Sequence, residues 1–442
     1  MSGATTDNET WAGRRLHFVG IGGAGMSGLA LIAAALGATV TGSDRAPSSY
    51  TARLREHGIE PVIGHAAANV PAGAEVVYST AIPADNPERA TASRQLHRAD
   101  LLAEIAALRR CLAVTGTHGK TTTSAMAVQA LQGAGMDPSY IVGGELRSTG
   151  ANAGWGSGEW IVVEADESDR SLLKLTPEIA ILTNAELDHH STYGSRIDLE
   201  DTFRTFMARA AGGAVVWDRP ALRALCPDGG VPYDAADAHV HPGGSAFRWH
   251  GIDVELAVPG AHNAVNAAGA LTACALAGAD PAAAATALGA FRGARRRMEL
   301  LGETPGGAAV YDDYAHHPTE ISATVAAARS LGSRRVVAVF QPHLYSRTRA
   351  LAAAFGAALA AADAVVVLPI YEARERAQDF PGVSGRLVAQ YAADSGTGSR
   401  PVAWMPGFDQ ARAFLVATLR AGDLCLMMGA GNIDALGRSL LA

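Results

Sequence analysis

Thr115-Gly116-Thr117-His118-Gly119-Lys120-Thr121-Thr122-Thr123 lies between an apolar run, residues 111–115, and a helix expected over residues 121–134. Strand, glycine turn and helix form the setting in which backbone amides cradle phosphate oxygens. Lys120 would reach the β- and γ-phosphates there, and a threonine hydroxyl can ligate Mg²⁺. Position 114 is valine, so the loop is shorter than the G-x-x-x-x-G-K-[ST] pattern. Lys and Arg together number 36, yet only Lys120 and Lys174 are lysine. A planar guanidinium fits a tight phosphate cradle poorly, so Lys120 is expected to resist replacement by arginine.

Further strands are expected downstream at residues 160–164 and 179–183, each ending in polar residues. Ligands of open α/β sheets bind at such strand ends. The first strand runs into Glu164-Ala165-Asp166-Glu167-Ser168-Asp169. Four carboxylates in six residues suit a cation beside phosphate, or else a solvated acidic loop. The second leads to Asn184 and Asp188-His189-His190. By residue type these histidines are as readily structural as metal-ligating, because Mg²⁺ prefers oxygen. Residues 211–260 read as short strands with turns, and 264–277 as an alanine-rich helix.

Upstream, Gly20-Ile21-Gly22-Gly23-Ala24-Gly25 fits G-x-G-x-x-G between a strand at 16–21 and a helix at 24–36, with a second strand at 38–42. The glycines allow close approach to a diphosphate, whose charge the helix N-terminus favours. Asp44 follows about 20 residues on, where a dinucleotide site has its ribose contact. The motif does not separate NAD from a UDP-sugar, or either from a turn that binds nothing. Residues 75–79 read as strand, and 87–97 and 101–110 as helices. Beyond the basic cluster 292–297, strands at 308–311, 335–340, 364–370 and 424–428 alternate with helices. The chain therefore reads as α/β with three domains. These are a Rossmann-like N-terminal domain over 1–110, a central P-loop-type ATPase domain over 111–291, and a C-terminal Rossmann-like α/β domain over 292–442.

A chain of 442 residues with 48% hydrophobic and 18% charged residues can bury several cores. Its net charge of -7 argues against a general nucleic-acid or membrane-surface binder. Cys111, Cys226, Cys274 and Cys425 are too scattered for a metal knuckle or a disulfide framework, and thiols in a reducing cytoplasm are expected. The first twelve residues lack a basic and apolar leader, and no apolar run reaches membrane-spanning length. A cytoplasmic protein without membrane insertion is the expectation.

Nine motifs together resemble the Mur ligase family, the ATP-dependent ligases of bacterial cell-wall precursor synthesis. They are GIGGAGMSG (20–28), TGTHGKTTTS (115–124), EADESD (164–169), TNAELDHH (183–190), PGAHNAVNAAGA (259–270), FRGARRRME (291–299), DDYAHHPTE (312–320), QPHLYSRT (341–348) and GAGNID (429–434). The likeness covers nearly the whole chain from about residue 14. It is strongest to the branch that joins L-alanine to UDP-N-acetylmuramate. Relatives of other branches carry a carbamylated lysine as a metal bridge. This chain has no lysine after Lys174, as expected of the alanine-adding branch.

The resemblance implies roles residue by residue. Gly116, Thr117, His118, Gly119, Lys120, Thr121 and Thr122 would hold the ATP phosphates. Thr121 and Glu164 would ligate Mg²⁺, and His189 a second ion. His262, Asn263 and Asn266 would form the adenine side, although His262 and Asn263 could equally cap a helix starting at Ala264. Arg297 would reach the γ-phosphate, with Asp313 joining it, unless residues 292–297 are a solvated patch. Tyr314, His316, His343 and Arg347 would lie near the incoming alanine. The plainer alternatives are that His316 and His317 close a turn before Pro318 and that Arg347 is a first-turn surface charge, which would oppose the helix dipole. Gly22, Gly23, Ala24, Gly25, Met26 and Ser27 would bind the UDP part, with Ser43, Asp44, Ser79, Thr80 and Ala81 nearby. The third domain is expected to close over both nucleotides and keep water from an acyl phosphate. The competing readings are a murein-recycling ligase that adds a tripeptide to the same sugar, an NAD-dependent oxidoreductase and a non-catalytic UDP-sugar binder. A monomer or weak homodimer is expected.

Overall fold

Arg15–Val19 (β1) begins on an exposed arginine and continues as four buried residues, the run of a strand covered on both faces. A computed structural model describes residues 11–189, 192–395 and 400–442. Beside β1 lie Thr39–Asp44 (β2), Val62–Ile63 (β3), Glu75–Tyr78 (β4) and Gln95–His97 (β5), in the order β3-β2-β1-β4-β5. Every pair in this sheet is parallel. The helix after the first glycine turn is Ala24–Ala35 (α1), and the helix leading into the second sheet is Arg98–Ala106 (α2).

One expectation here fails. Residues 87–97 are not one helix: Pro87–Ala90 makes a single turn, capped by the Asn86 side chain, and the chain then straightens into β5. Pairing of Val76, Val77 and Tyr78 with residues 95–97 extends the sheet, and that tertiary gain overrides local helix propensity.

The second sheet contains Arg110–Thr115 (β6), Ser139–Leu146 (β7), Ala151–Gly154 (β8), Trp160–Glu164 (β9), Ile179–Leu182 (β10), Gly213–Trp217 (β11) and Val231–Tyr233 (β12). Its order is β12-β11-β10-β6-β9-β7-β8, with β8 antiparallel to β7. Lys120–Gly133 (α3) follows the phosphate loop at the C-terminal end of central β6. Both sheets belong to one compact unit, Met1–Asp234 with Asn266–Ala287. Within it, Asn152 of β8 donates to Ala24 O and lies 3.4 Å from Ser27 Oγ, tying the start of α1 to the second sheet.

The second unit is Ala235–Val265 with Leu288–Ala442. It holds the antiparallel strands His239–His241 (β13), Gly244–Trp249 (β14) and Ile252–Leu256 (β15). Its six-stranded sheet has the order β16-β17-β21-β18-β19-β20. These strands are Glu299–Glu303 (β16), Ala309–Asp313 (β17), Arg335–Phe340 (β18), Ala364–Val367 (β19), Val402–Trp404 (β20) and Asp423–Met428 (β21). Alternation along β18 divides the core between two faces. Val336, Ala338 and Phe340 join Val325 and Phe355, whereas Val337 and Val339 join Met427, Leu415 and Ile433.

The alanine-rich helix runs over Ala261–Leu276 (α4), three residues earlier than the apolar pattern suggests. His262 and Asn263 therefore lie in its first turn and are not its caps. No helix among the described residues is long and apolar enough to cross a membrane. The four cysteines are buried and unbridged.

Candidate active site

Gly116 and Gly119 have φ of +127° and +80°, so the phosphate loop passes twice through left-handed backbone that glycine adopts without strain. A Cβ on Gly116 would lie 2.2 Å from Thr183 Oγ1. The segment after β10 holds this loop down. Thr183 Oγ1 donates to His118 O at 2.6 Å, and Asn184 both accepts from His118 N at 2.8 Å and donates to His118 O at 3.0 Å. Thr117 Oγ1 bonds Glu186 backbone in the same way, at 2.8 and 3.0 Å. Thr122 is buried in the first turn of α3, and a Cβ on Gly119 would meet Asn266 Oδ1 at 2.8 Å.

Lys120 Nζ lies 2.7 Å from Gly116 O, 3.1 Å from Thr117 O and 2.8 Å from Glu167 Oε2. Burial pulls the pKa of this ammonium down, but Glu167, Asp166 and Glu164 outweigh burial and leave it raised. Glu167 is 1% exposed, and His189 Nε2 is 3.5 Å from its other oxygen. Thr121 Oγ1 donates to Glu164 Oε1 at 3.0 Å, and Gly143 N donates to Oε2 at 2.7 Å. Hard oxygen donors on Thr121 and Glu164 fit Mg²⁺ beside phosphate. His189 takes a left-handed φ of +52°, an uncommon conformation for a non-glycine residue. Glu167 was legible only as one acid in a run of four; its pairing with Lys120 carries no separate sequence signal.

The acidic turn serves two partners. Glu164 and Glu167 face the phosphate loop, whereas Arg98 at the start of α2 binds Asp166 and Asp169, each at 3.0 Å. Burial works against the Asp166 carboxylate, but Arg98 and Lys120 outweigh it and hold its pKa below the usual range. Lys174 pairs with Asp100 of α2, a plain structural role.

In the first sheet, Gly22 N donates to Asp44 Oδ2 at 2.8 Å, and Gly20 and Ile21 donate to Ser43 O at 2.8 and 3.0 Å. Asp44 thus shapes the glycine turn in the free protein. A Cβ on Gly22 would meet that carboxylate at 2.9 Å. Gly23, Ala24, Gly25, Met26 and Ser27 form the opening of α1, whose N-cap Gly23 supplies no side-chain cap. Ser79, Thr80 and Ala81 follow β4 on the partly exposed rim of the same strand ends. Ser43 is different: it is fully buried, and its hydroxyl donates to Glu88 and bonds His65 Nδ1 at 2.8 Å. Burial works against the Glu88 carboxylate, but bonds from Ser43, Asn69 and Ala66 hold its pKa below the usual range.

In the second unit the C-terminal ends of β17, β18 and β21 gather the remaining groups. Arg296 takes φ +58° and Met298 +48°. Arg296 binds Asp312 at 3.0 Å and the carbonyls of Gly429 and Gly431 at 2.7 and 2.9 Å. Burial raises the Asp312 pKa to about 6 against the pull of Arg296. Asp313 accepts from Met298 N and Ala315 N, both at 2.8 Å, so its carboxylate fixes the turn that carries Arg297. Arg297 lies over the Tyr314 ring and 3.6 Å from Glu320. Burial and then Arg297 lower the His262 pKa to about 4. Asn263 Nδ2 donates to Pro259 O at 2.7 Å.

The structure brings the four residues expected around alanine together. Tyr314 and His316 meet edge to face at 5.3 Å, His316 and His343 at 6.2 Å, and His343 stacks on Tyr371 at 5.8 Å. Arg347 is 6% exposed and lies 3.1 Å from His343 Nδ1, so it is not a surface charge. His317 does cap the helix Pro318–Ser330, as the turn reading holds, with Glu320 completing a capping box. Tyr371 escaped the sequence reading because nothing in its neighbourhood marks it.

Family models match three successive stretches: the Mur ligase family catalytic domain at 15–110, the Mur ligase middle domain at 114–274, and the Mur ligase glutamate ligase domain at 296–431. The chain belongs to the Mur ligase family, and is thus an ATP-dependent, amide-bond-forming ligase with that family's three-domain α/β architecture. It is 43% identical to the UDP-N-acetylmuramate–L-alanine ligase of Acidithiobacillus ferrooxidans, over 96% of both chains. It is 44% identical to the enzyme of the same name from a Mycobacterium species, over 97% of this chain and 95% of the relative. The crystal structure of the Thermotoga maritima UDP-N-acetylmuramate–alanine ligase superposes with a TM-score of 0.83 at 28% identity, covering 97% and 98% of the two chains. A murein peptide ligase from Psychrobacter arcticus shares the fold, with a TM-score of 0.71 at 23% identity over 97% and 98% of the two chains.

Proposed function

We propose that this chain joins L-alanine to the lactyl carboxylate of UDP-N-acetylmuramate with cleavage of ATP to ADP and phosphate. The observation that carries the reading is the full-length identity of 43% and 44% to ligases of that name, in a chain whose buried Lys120–Glu167 pair furnishes the phosphate loop. The lactyl carboxylate attacks the γ-phosphoryl group and forms an acyl phosphate. The alanine amine then attacks the carbonyl, and phosphate leaves. Two anions meet in the first step, so Lys120 and Arg297 serve as counter-charges. Asp313 acts through Arg297 by fixing its turn. Thr121 and Glu164 would hold one Mg²⁺ and His189 a second, and the bound metal would supply further neutralisation of phosphate charge.

His262, Asn263 and Asn266 take the adenine side. The opening of α1, with Asp44 and residues 79–81, takes the UDP part. Residues 1–110, 111–291 and 292–442 are accordingly the UDP-substrate, ATP and amino-acid domains. Both substrates are small molecules, and a cytoplasmic monomer or weak homodimer is part of the reading. Phosphate release should require UDP-N-acetylmuramate, L-alanine and ATP together. Faster turnover with the tripeptide than with L-alanine would favour the recycling ligase instead, and NADH oxidation without ATP an oxidoreductase.

A further inference from the structure

A cleft of about 600 Å³ opens at the N-terminal ends of β1, β4 and β5, within the first unit. Arg15, which begins β1, is about 16 Å along the chain from the glycine turn at Gly20. The cleft therefore lies at the opposite end of the sheet from the strand ends where ligands of open α/β sheets bind. Its walls include Arg14, Arg15, Gly73, Glu75, Arg94 and Glu104, and none of these belongs to a motif shared with the family. Three arginines face two glutamates there. Arg14 holds both acids, with Nε 2.7 Å and Nη2 3.3 Å from the Glu75 carboxylate and Nη1 2.6 Å from Glu104. The other two arginines are left largely unused. Among the described residues Arg15 binds no carboxylate, and its guanidinium donates to Ala72 O at 3.3 Å. Arg94 reaches Glu75, which Arg14 already neutralises, through Nε at 3.3 Å, and its side chain is 70% exposed. Gly73 N donates to no described residue.

We propose that this cleft is a second anion site, separate from both nucleotide sites, and that it takes a small diphosphate. Arg15 opens β1 and Arg94 immediately precedes β5, with β4 between them. The two residues thus stand about two strand spacings, or about 9.5 Å, apart at the backbone. A single carboxylate can meet one of these guanidinium groups, whereas bridging them takes an anion charged at both ends. The planar fork of arginine matches phosphate oxygens with two parallel hydrogen bonds. One phosphoryl group pairs with Arg15 and the other with Arg94, and the Gly73 N–H supplies a further donor. Glu75 and Glu104 do not turn the ligand away, because Arg14 lies between them and neutralises both. The wall keeps an excess of one positive charge, three arginines against two glutamates, in a chain whose net charge is -7. Glu104 belongs to α2, the helix that begins with Arg98, so bound diphosphate rests against the helix that grips the acidic turn.

The test is a calorimetric titration of inorganic pyrophosphate into the full chain, at low salt and without Mg²⁺. UDP-N-acetylmuramate and a non-hydrolysable ATP analogue are kept at saturation, so that the glycine turn and the phosphate loop are already filled. One further site should appear. Arg15→Ser and Arg94→Ser each remove a charged hydrogen-bonding group and should weaken it about tenfold or more, and the double variant should abolish it. Arg204→Ser removes an exposed arginine of a different helix and should leave it unchanged. Acetate at equal ionic strength should not displace pyrophosphate. Absence of the further site overturns the proposal, as does pyrophosphate binding that survives in the double variant. Displacement by acetate reduces the cleft to general charge attraction and overturns the diphosphate assignment. Failure of the UDP-sugar or of the ATP analogue to bind would instead count against the ligase reading, while the wild-type and double-variant titrations still decide on the cleft.

Discussion

Replacing Lys120 by arginine keeps a positive charge and changes only its shape. Three oxygens converge on the ammonium within 3.1 Å, those of Gly116, Thr117 and Glu167. A planar fork spreads its donors around a carbon and cannot meet that set and a phosphate at once. Losing one donor aimed at developing charge costs about 2.7–4 kcal/mol, or about 10²–10³ in turnover. The fold should hold, because Glu167 keeps a cation. Lys120→Met is the contrast. It leaves Glu167, 1% exposed, facing His189 at 3.5 Å. Breaking a buried pair costs about 3–5 kcal/mol. At about 2–4 °C per kcal/mol for a domain of this size, the methionine variant should melt about 6–20 °C lower. ADP release and calorimetry read the two effects separately. Lys120→Arg turnover within tenfold of wild type would refute the shape argument, and an unchanged Tm in Lys120→Met would refute the stabilising pair.

Arg297→Ala should cut turnover about 10³–10⁵-fold; normal kcat in the folded variant removes Arg297 from the chemistry. His262 titrates near 4 in the folded chain against 6.5 in the unfolded one. Between those values the unfolded chain binds the extra proton, so stability falls as pH drops from about 6.5 to about 4. His262→Gln should flatten that slope in denaturant titrations, and an unaltered slope would show that other groups set it. Ser43→Ala removes a donor from buried Glu88 and should cost about 1–3 kcal/mol. Its Kd for the UDP-sugar, read by calorimetry, should change less than that of Asp44→Ala; the reverse order would return Ser43 to the binding surface.

Long apolar runs and glycine turns made the three larger sheets legible, and residues 160–164 and 335–340 are strands with the bounds the pattern suggests. What escaped depends on partners distant in sequence. Residues 95–97 become strand because β4 offers an edge, and α4 begins early because His262 and Asn263 do not break it. The same holds in the site. The phosphate loop names itself, but Glu167 becomes its counter-ion only once β6 and β9 lie side by side. Arg347 looks like a surface cation until His343 and the strand ends enclose it. Asp313 and Ser43 were legible as functional positions, yet their oxygens serve a backbone turn and a buried carboxylate respectively.

The acidic turn after β9 is gripped from two sides, by Arg98 on Asp166 and Asp169 and by Lys120 on Glu167. A hinge pin seated in two leaves cannot shift in one alone. Any free energy that a ligand at the phosphate loop sends through this turn to α2 is matched by what a ligand on the first sheet sends back. The two affinities would then rise or fall by the same factor, whichever ligand arrives first. Arg98, which ties α2 to this turn, is the place to cut that exchange.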